Sequence, residues 1–171
     1  TLLKDGSFDH GCKRGFPTPF NSLCYVLKLD KLFPKVKKFG GYTLNYLSQD
    51  ETNEVDSVSG AFMLIPKRVL GKVGLFDESI FMYGEDIDLC YRIKQAGYKV
   101  VYYAGVKMTH LKGQSGLHTK SPVVIKHFHD GIKRFYDMYY KNKHNFVVTF
   151  LMHTAINVRY VMTLAISKIR R

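Results

Sequence analysis

An α/β fold is the class that this 171-residue sequence predicts, and three observations predict it. A β-branched apolar run at 55–65 precedes a helix-patterned stretch at 86–96, and a second β-branched run follows at 98–103. Strand, helix and strand in succession imply a sheet with at least one crossover. Apolar residues make up 46% of the chain and charged residues 23%, which supports a packed core and argues against disorder. The last third holds no Gly after Gly131 and no Pro after Pro122, so it is free to be helical. The length fits one domain of ordinary size.

The elements follow in chain order. Asp5-Gly6 between short apolar pieces is a hairpin-turn signal. Residues 10–21 are Gly- and Pro-rich and read as loop. A short helix over 22–33 would start at Ser22 and end before Pro34. Residues 34–54 are polar with Gly40-Gly41 and read as an irregular excursion, with room for a short strand at 42–47. The run at 55–65 reads as a buried strand. Pro66 opens a short helix over 66–72, and Gly74 stops it. An aromatic-rich loop spans 75–84. The helix at 86–96 has Gly97 just past its end, where a left-handed residue closes a helix. Strands are predicted at 98–103 and 106–110, and two helices at 122–141 and 145–168.

Charge is uneven along the chain. The total is +12; residues 1–119 carry 16 Lys and Arg against 12 Asp and Glu, and residues 120–171 carry 10 against 2. The tail alone is therefore +8 and the body +4. The composition break near 113–122 separates a mixed body, 1–119, from a basic helical tail, 120–171. An excess of this size excludes a basic partner and favours an anionic one: a membrane surface, a nucleotide or a nucleic acid. Cys12, Cys24 and Cys90 are odd in number and lack metal-type spacing. They rule out a disulfide framework and a zinc ribbon, and fit a reducing compartment. With Thr1 first and no basic-then-apolar leader, the sequence reads as a piece of a longer protein.

The densest chemistry lies at 76–90, where Asp77, Glu78, Glu85, Asp86 and Asp88 are five of the chain's 14 acids. Glu85, Asp86 and Asp88 sit around a helix N-terminus, where free N–H groups and the helix dipole favour carboxylates. Capping alone accounts for such a cluster. A carboxylate at a sharp turn under aromatic walls equally suits a general base, and Gly84 permits that turn at positive φ. Asp86-Ile87-Asp88 also matches the two-aspartate pattern that grips a metal-nucleotide. On a helix, positions i and i+2 point about 200° apart, so these two cannot hold one ion.

Five submotifs stand in order over 55–110: Val55–Ser59 running into Gly60-Ala61-Phe62-Met63-Leu64-Ile65; Val73-Gly74-Leu75-Phe76-Asp77-Glu78; Phe81-Met82-Tyr83-Gly84-Glu85-Asp86-Ile87-Asp88-Leu89-Cys90-Tyr91-Arg92; Ala96-Gly97-Tyr98; and His110. In these the chain resembles the family 2 glycosyltransferases, with the rhamnosyltransferase-like builders of bacterial surface polysaccharides as the nearest kind. The resemblance runs from about residue 4 to residue 115. It implies a GT-A (Rossmann-like) fold, of which this chain resembles only the C-terminal, acceptor-binding half followed by the helical tail. The family's donor-binding strands and strand-end aspartate pair have no counterpart here.

The resemblance further implies an inverting sugar transfer from a nucleotide-diphosphate donor, with rhamnose a candidate sugar, to a hydroxyl of a glycan or lipid-linked acceptor. A divalent metal, Mn or Mg, is expected in the complete enzyme. Carried over by position, Asp86 matches the catalytic base, and Glu85 would help place the acceptor or the base. Asp56 and Gly60 match the strand lining the acceptor side, and His110 matches a histidine that touches the metal or diphosphate in some members. Without the donor half, this chain alone is expected to be inactive.

Two further features lie outside that pattern. Residues 112–116 suit either a phosphate-facing loop or a plain linker. In the tail, residues 146–166 are apolar but interrupted by His153, Asn157 and Arg159, and residues 128–140 set aromatics beside Lys133 and Arg134. A central arginine argues against a spanning helix; aromatics with cations suit a lipid headgroup region. The tail reads as a membrane-surface element on the inner, cytoplasmic face, or as a helical pair packing on the body. His127, His129, His144 and His153 read as surface or interface groups. The competing class is a non-enzymatic basic module that binds nucleic acid or membrane; no nucleic-acid signature supports the former.

Overall fold

The computed structural model describes residues 1–80, 82–111 and 121–169. The chain divides into two compact units, Thr1–Asp77 with Asp86–Lys112, and Glu78–Glu85 with Gly113–Arg171. The loop reading for 112–116 lies outside the described residues.

The first unit is mixed helix and strand. Strand β1 (Lys13–Arg14) pairs antiparallel with β3 (Ser57–Val58), and β2 (Asn53–Val55) pairs antiparallel with β4 (Val100–Tyr102). Around them lie α1 (Pro19–Val26), α2 (Leu29–Leu32), α3 (Lys67–Val73) and α4 (Glu85–Gln95). The described strands thus form two-stranded antiparallel pairs; the paired strands are not consecutive in the chain, so the expected crossover is present, between antiparallel neighbours. The core gathers Cys12, Cys24, Val55, Leu89, Cys90 and Val100, all under 8% exposed.

Four local expectations are corrected. The run at 55–65 is not one buried strand. It breaks at Asp56, whose carboxylate accepts from the Phe16 N–H (3.0 Å) and the Lys94 ammonium (2.9 Å). The ladder resumes for two residues, and Ser59 N–H still reaches Cys12 C=O at 3.0 Å. It ends at Gly60 because that N–H is taken by Asp86; beyond it Leu64 is 91% exposed. The helix at 22–33 is two helices. Thr18 caps the first by accepting from Asn21 N–H, and Lys28 at φ 56° breaks the run before α2. Residues 42–47 are turns, with Leu44 left-handed at φ 52°. At 106–110 the described backbone makes a single bridge, Thr109 to Leu2, because no strand lies alongside it for longer.

Other readings match the observed elements. The Asp5-Gly6 turn brings Leu2 and Phe8 together in a bridge. α3 stops at Gly74, and α4 is followed by Gly97 at φ 84°. Lys13, 2% exposed, fastens the irregular excursion by donating to Leu47 C=O and Ser48 C=O at 3.1 and 2.7 Å. Burial pushes its pKa down.

The second unit contains two long helices, α5 (Pro122–Tyr139) and α6 (Phe146–Ile169), joined through a 3-10 turn at Lys141–Lys143. Ser121 caps α5 by accepting from Val124 N–H, with Pro122 at the first helical position. Gly131, in mid-helix where glycine ordinarily costs about 1 kcal/mol against alanine, is explained by a close approach. A Cβ there would lie 2.2 Å from the Tyr83 carbonyl oxygen. Tyr83 and Gly84 are both left-handed, at φ 65° and 104°, so the turn that Gly84 was expected to permit is present.

Candidate functional site

The site in the first unit is assembled from three chain segments. α4 supplies Asp86 in its first turn. Its Oδ1 accepts from Ile87 N–H at 2.8 Å and its Oδ2 from Gly60 N–H at 3.0 Å. Both carboxylate oxygens are therefore held by backbone donors, and the side chain stays half-buried with lone pairs to spare. A Cβ on Gly60 would sit 3.5 Å from the Asp86 Cβ, so Gly60 packs closely on the carboxylate it binds.

Arg14, on β1, is the second component, and the sequence reading missed it. It hydrogen-bonds the Tyr42 phenol, and Tyr42 and Asp86 both act on its charge. Burial pulls the guanidinium pKa down, but Tyr42, Asp86 and Asp9 outweigh it, and the net direction is up. Burial pushes the Tyr42 phenol above its ordinary value, with Arg14 pulling the other way. The contact depends on a tight backbone approach. Gly15 N–H donates to Tyr42 C=O at 2.8 Å, and a Cβ on Gly15 would lie 1.7 Å from the Gly41 oxygen. Only glycine fits there, which is the one local signal that could have pointed to this pairing.

Asp88 is used differently. It is 1% exposed and takes two bonds from Arg92, 2.9 Å from Nε and 2.7 Å from Nη2. Arg92 also donates to Val73 C=O and, at 2.8 Å, to Leu75 C=O, clamping the segment after α3 onto α4. Asp86 and Asp88 thus have separate partners, as their helical spacing requires. Cys90, one turn beyond Asp86, has its thiol pushed up to about 11, chiefly by burial.

The remaining sequence candidates are placed as follows. Asp56 ties Phe16 and Lys94 together. His110 lies 3.7 Å from the buried Asp9. Among the described residues no three His, Cys, Asp or Glu side chains converge as a metal centre. The described residues by themselves make no divalent-ion site, the ion being expected of the complete enzyme. Glu85, half-buried, opens α4 but is grouped with the second unit.

In the second unit the two helices meet through polar groups. His153 Nε2 lies 2.7 Å from Asp137 Oδ1, and the Tyr136 hydroxyl 3.1 Å from Thr149 Oγ1. On α6, the sheltered positions Thr149, His153, Ile156, Tyr160, Thr163 and Ser167 recur every three or four residues, a single face. Arg159 belongs to that side. The other positions Phe146, Phe150, Leu151, Val158, Val161 and Met162 are each at least half exposed. This helix is long and apolar enough, by length and composition, to cross a membrane, and it is largely unburied.

Residues 34–126 match the family model described as glycosyltransferase like family 2. Over 58 residues the chain is 41% identical to the N-acetylglucosaminyl-diphospho-decaprenol L-rhamnosyltransferase of Mycobacterium tuberculosis, strains CDC 1551 and H37Rv, covering 34% of this chain and 19% of that protein. Over 56 residues it is 41% identical to rhamnosyltransferase WbbL of Escherichia coli K12, covering 33% of this chain and 21% of that protein. The chain spans about a fifth of the length of these curated relatives. No solved structure matches it.

Proposed function

Because this chain belongs to the glycosyltransferase like family 2, we propose that it is the acceptor-side part of an inverting GT-A sugar transferase with Asp86 as the base. The acceptor hydroxyl gives its proton to Asp86 as its oxygen forms a bond to the anomeric carbon. The bond from that carbon to the diphosphate breaks, and the electron pair leaves with the phosphate, inverting the centre. The observation that carries the reading is the posture of Asp86. Two backbone N–H groups fix its plane while the carboxylate stays half-buried and reachable. Fixed orientation is what a base needs to meet a hydroxyl at hydrogen-bond distance. Arg14 supplies a compensating positive charge nearby.

The finer assignments are part of the same proposal. Glu85, next to Asp86 in the chain, would help place the acceptor, as would the segment around Asp56 and Gly60. A rhamnosyl nucleotide is the candidate donor and a lipid-linked glycan the candidate acceptor, since the relatives include a rhamnosyltransferase named for a diphospho-decaprenol substrate. The donor half would come from elsewhere in the complete enzyme. Turnover by the complete enzyme with Asp86→Asn is the test: transfer near the unaltered rate would overturn the assignment.

The tail is assigned to the surface of the membrane that holds such an acceptor, on its cytoplasmic face. What supports this is the polarity of α6: its polar side is sheltered against α5 and its apolar side is open. Arg159, which argued against an apolar helix in lipid, is on the sheltered side. A helix lying in the interface plane fits this arrangement. The nucleic-acid reading needs cations on the open side, where α6 shows Lys168 at one end. Co-sedimentation with anionic vesicles and with single-stranded DNA at two salt concentrations separates the two readings.

A further inference from the structure

Between α5 and α6 lies a pocket of about 230 Å³, lined by Tyr83, Phe128, His129, Arg159 and Thr163 over a floor of Val124 and Ile125. His129 is 4% exposed. Its Nδ1 lies 2.7 Å from Ile125 C=O, an acceptor only, so that nitrogen carries the hydrogen. Its Nε2 is buried with no hydrogen-bond partner. A buried polar atom left unpaired costs on the order of 1–3 kcal/mol, so Nε2 calls for a hydrogen-bonding partner from the pocket side. The ring is held in place by Phe128 and Tyr160, with centroids at 5.4 and 5.5 Å.

The chemistry of the lining selects the ligand. Arg159 brings a planar fork of N–H donors suited to phosphate oxygens. His129 Nε2 accepts from a protonated phosphate oxygen or, as imidazolium, donates to an ionised one. No carboxylate is among the lining residues. The aromatic and aliphatic remainder suits an ester chain more than a hydrated free anion.

We propose that this pocket is a subsite for the phosphate or diphosphate of a lipid-borne acceptor, a deepening that rests on the membrane-surface reading of the tail. The same stretch of α6 argues for the lipid source. Arg159 and Thr163 line the pocket, while Val158 and Val161, 52 and 62% exposed, point well away from both around the helix. One helix therefore presents a phosphate-binding side and a chain-compatible side within a single turn. At the headgroup level the phosphate would enter the pocket while its hydrocarbon follows the apolar side into the bilayer.

The test uses the full chain and phosphatidylcholine vesicles doped with either undecaprenyl phosphate or a charge-matched amount of phosphatidylglycerol. The expected result is about a tenfold preference for the polyprenyl phosphate, the scale of one charge-assisted hydrogen bond. Arg159→Gln is expected to reduce that preference to about one, and Arg159→Lys to keep part of it. Methyl phosphate in solution is expected to erode the preference of the unaltered protein, which decides the matter should Arg159→Gln fail to fold. Binding to both vesicles with no preference overturns the subsite and leaves the surface reading standing. Binding to neither overturns the surface reading and the subsite with it. Methyl phosphate binding, seen by phosphorus NMR, without any vesicle preference assigns the pocket to a soluble phosphate and overturns the lipid source.

Discussion

Helices α4 and α6 both turn polar side chains inward, and they differ in what closes over them. In α4, Asp88 is buried against Arg92, and Ile87, Leu89, Cys90, Tyr91 and Ile93 are each 8% exposed or less. The polar pair there belongs to a helix that is buried around most of its circumference. In α6, His153 meets Asp137 and Thr149 meets Tyr136, but only Ile156 and Ser167 are buried on the whole helix. Its phenylalanines, valines and methionine are outside. Burying an apolar side chain is worth about 1.5–3 kcal/mol, so α4 has collected that gain within its unit and α6 has left it open. The first pattern belongs to a fixed site; the second to a surface that meets something apolar.

The comparison is tested most severely at Asp86. Asp86→Asn keeps an acceptor for Gly60 N–H but removes the base. Transfer by the complete enzyme is expected to fall by about a thousandfold, within the range for lost general-base catalysis. The denaturation midpoint should stay where it was. A large loss of stability instead would make Asp86 a packing residue of α4, like Asp88.

Asp88→Ala strips Arg92 of its carboxylate inside the unit. The expected destabilisation is about 3–5 kcal/mol, as for breaking a buried pair from one side, read from urea unfolding. A change below ~1 kcal/mol would mean that the polar interior of α4 is no better closed than that of α6.

Alkaline unfolding offers a third probe. The folded thiol of Cys90 titrates at about 11 against 9.0 for an unfolded one, so the folded state holds its proton longer. That contribution is fully present below pH 9 and is lost as pH rises toward 11. At about 1.4 kcal/mol per pH unit the decline is roughly 2–3 kcal/mol. Cys90→Ala should flatten the stability profile over this window, and an unchanged profile would refute the assignment.

The smallest effect is expected on α6. Val161→Ser alters a side chain that is 62% exposed, so the melting temperature should hardly move. Affinity for anionic vesicles should drop roughly fivefold, equivalent to about 1 kcal/mol of lost apolar burial. Equal vesicle binding with a clear loss of stability would show that the apolar side of α6 is covered by protein.

Local signals in the sequence determined much of this protein. The acidic start and Gly97 end of α4, the left-handed Gly84, the stop at Gly74 and the extents of α5 and α6 all rest on interactions within a turn or two of chain. The motif around Glu85-Asp86 and the family it belongs to were legible for the same reason: the residues are contiguous. The breaks at Asp56 and Lys28 were not legible, because β-propensity and apolar runs do not report where a strand's partner ends.

Only the tertiary structure decided which distant residues bond Asp86 or act on its charge. Gly60 is 26 positions away, and Arg14 comes from a strand whose pairing with Tyr42 depends on two glycines touching backbone to backbone. The structure likewise showed Asp56 tethering Lys94 and Phe16, and it accounted for Gly131 through the Tyr83 carbonyl. The polarity of α6 was settled in the same way. Its sequence shows an apolar run with three interruptions, and periodicity alone sets two of them, Asn157 and Arg159, about 200° apart around the helix. Which face is sheltered depends on bonds to Asp137 and Tyr136 on another helix. Contacts distant in sequence carry no local spacing, so the chain must fold before they exist.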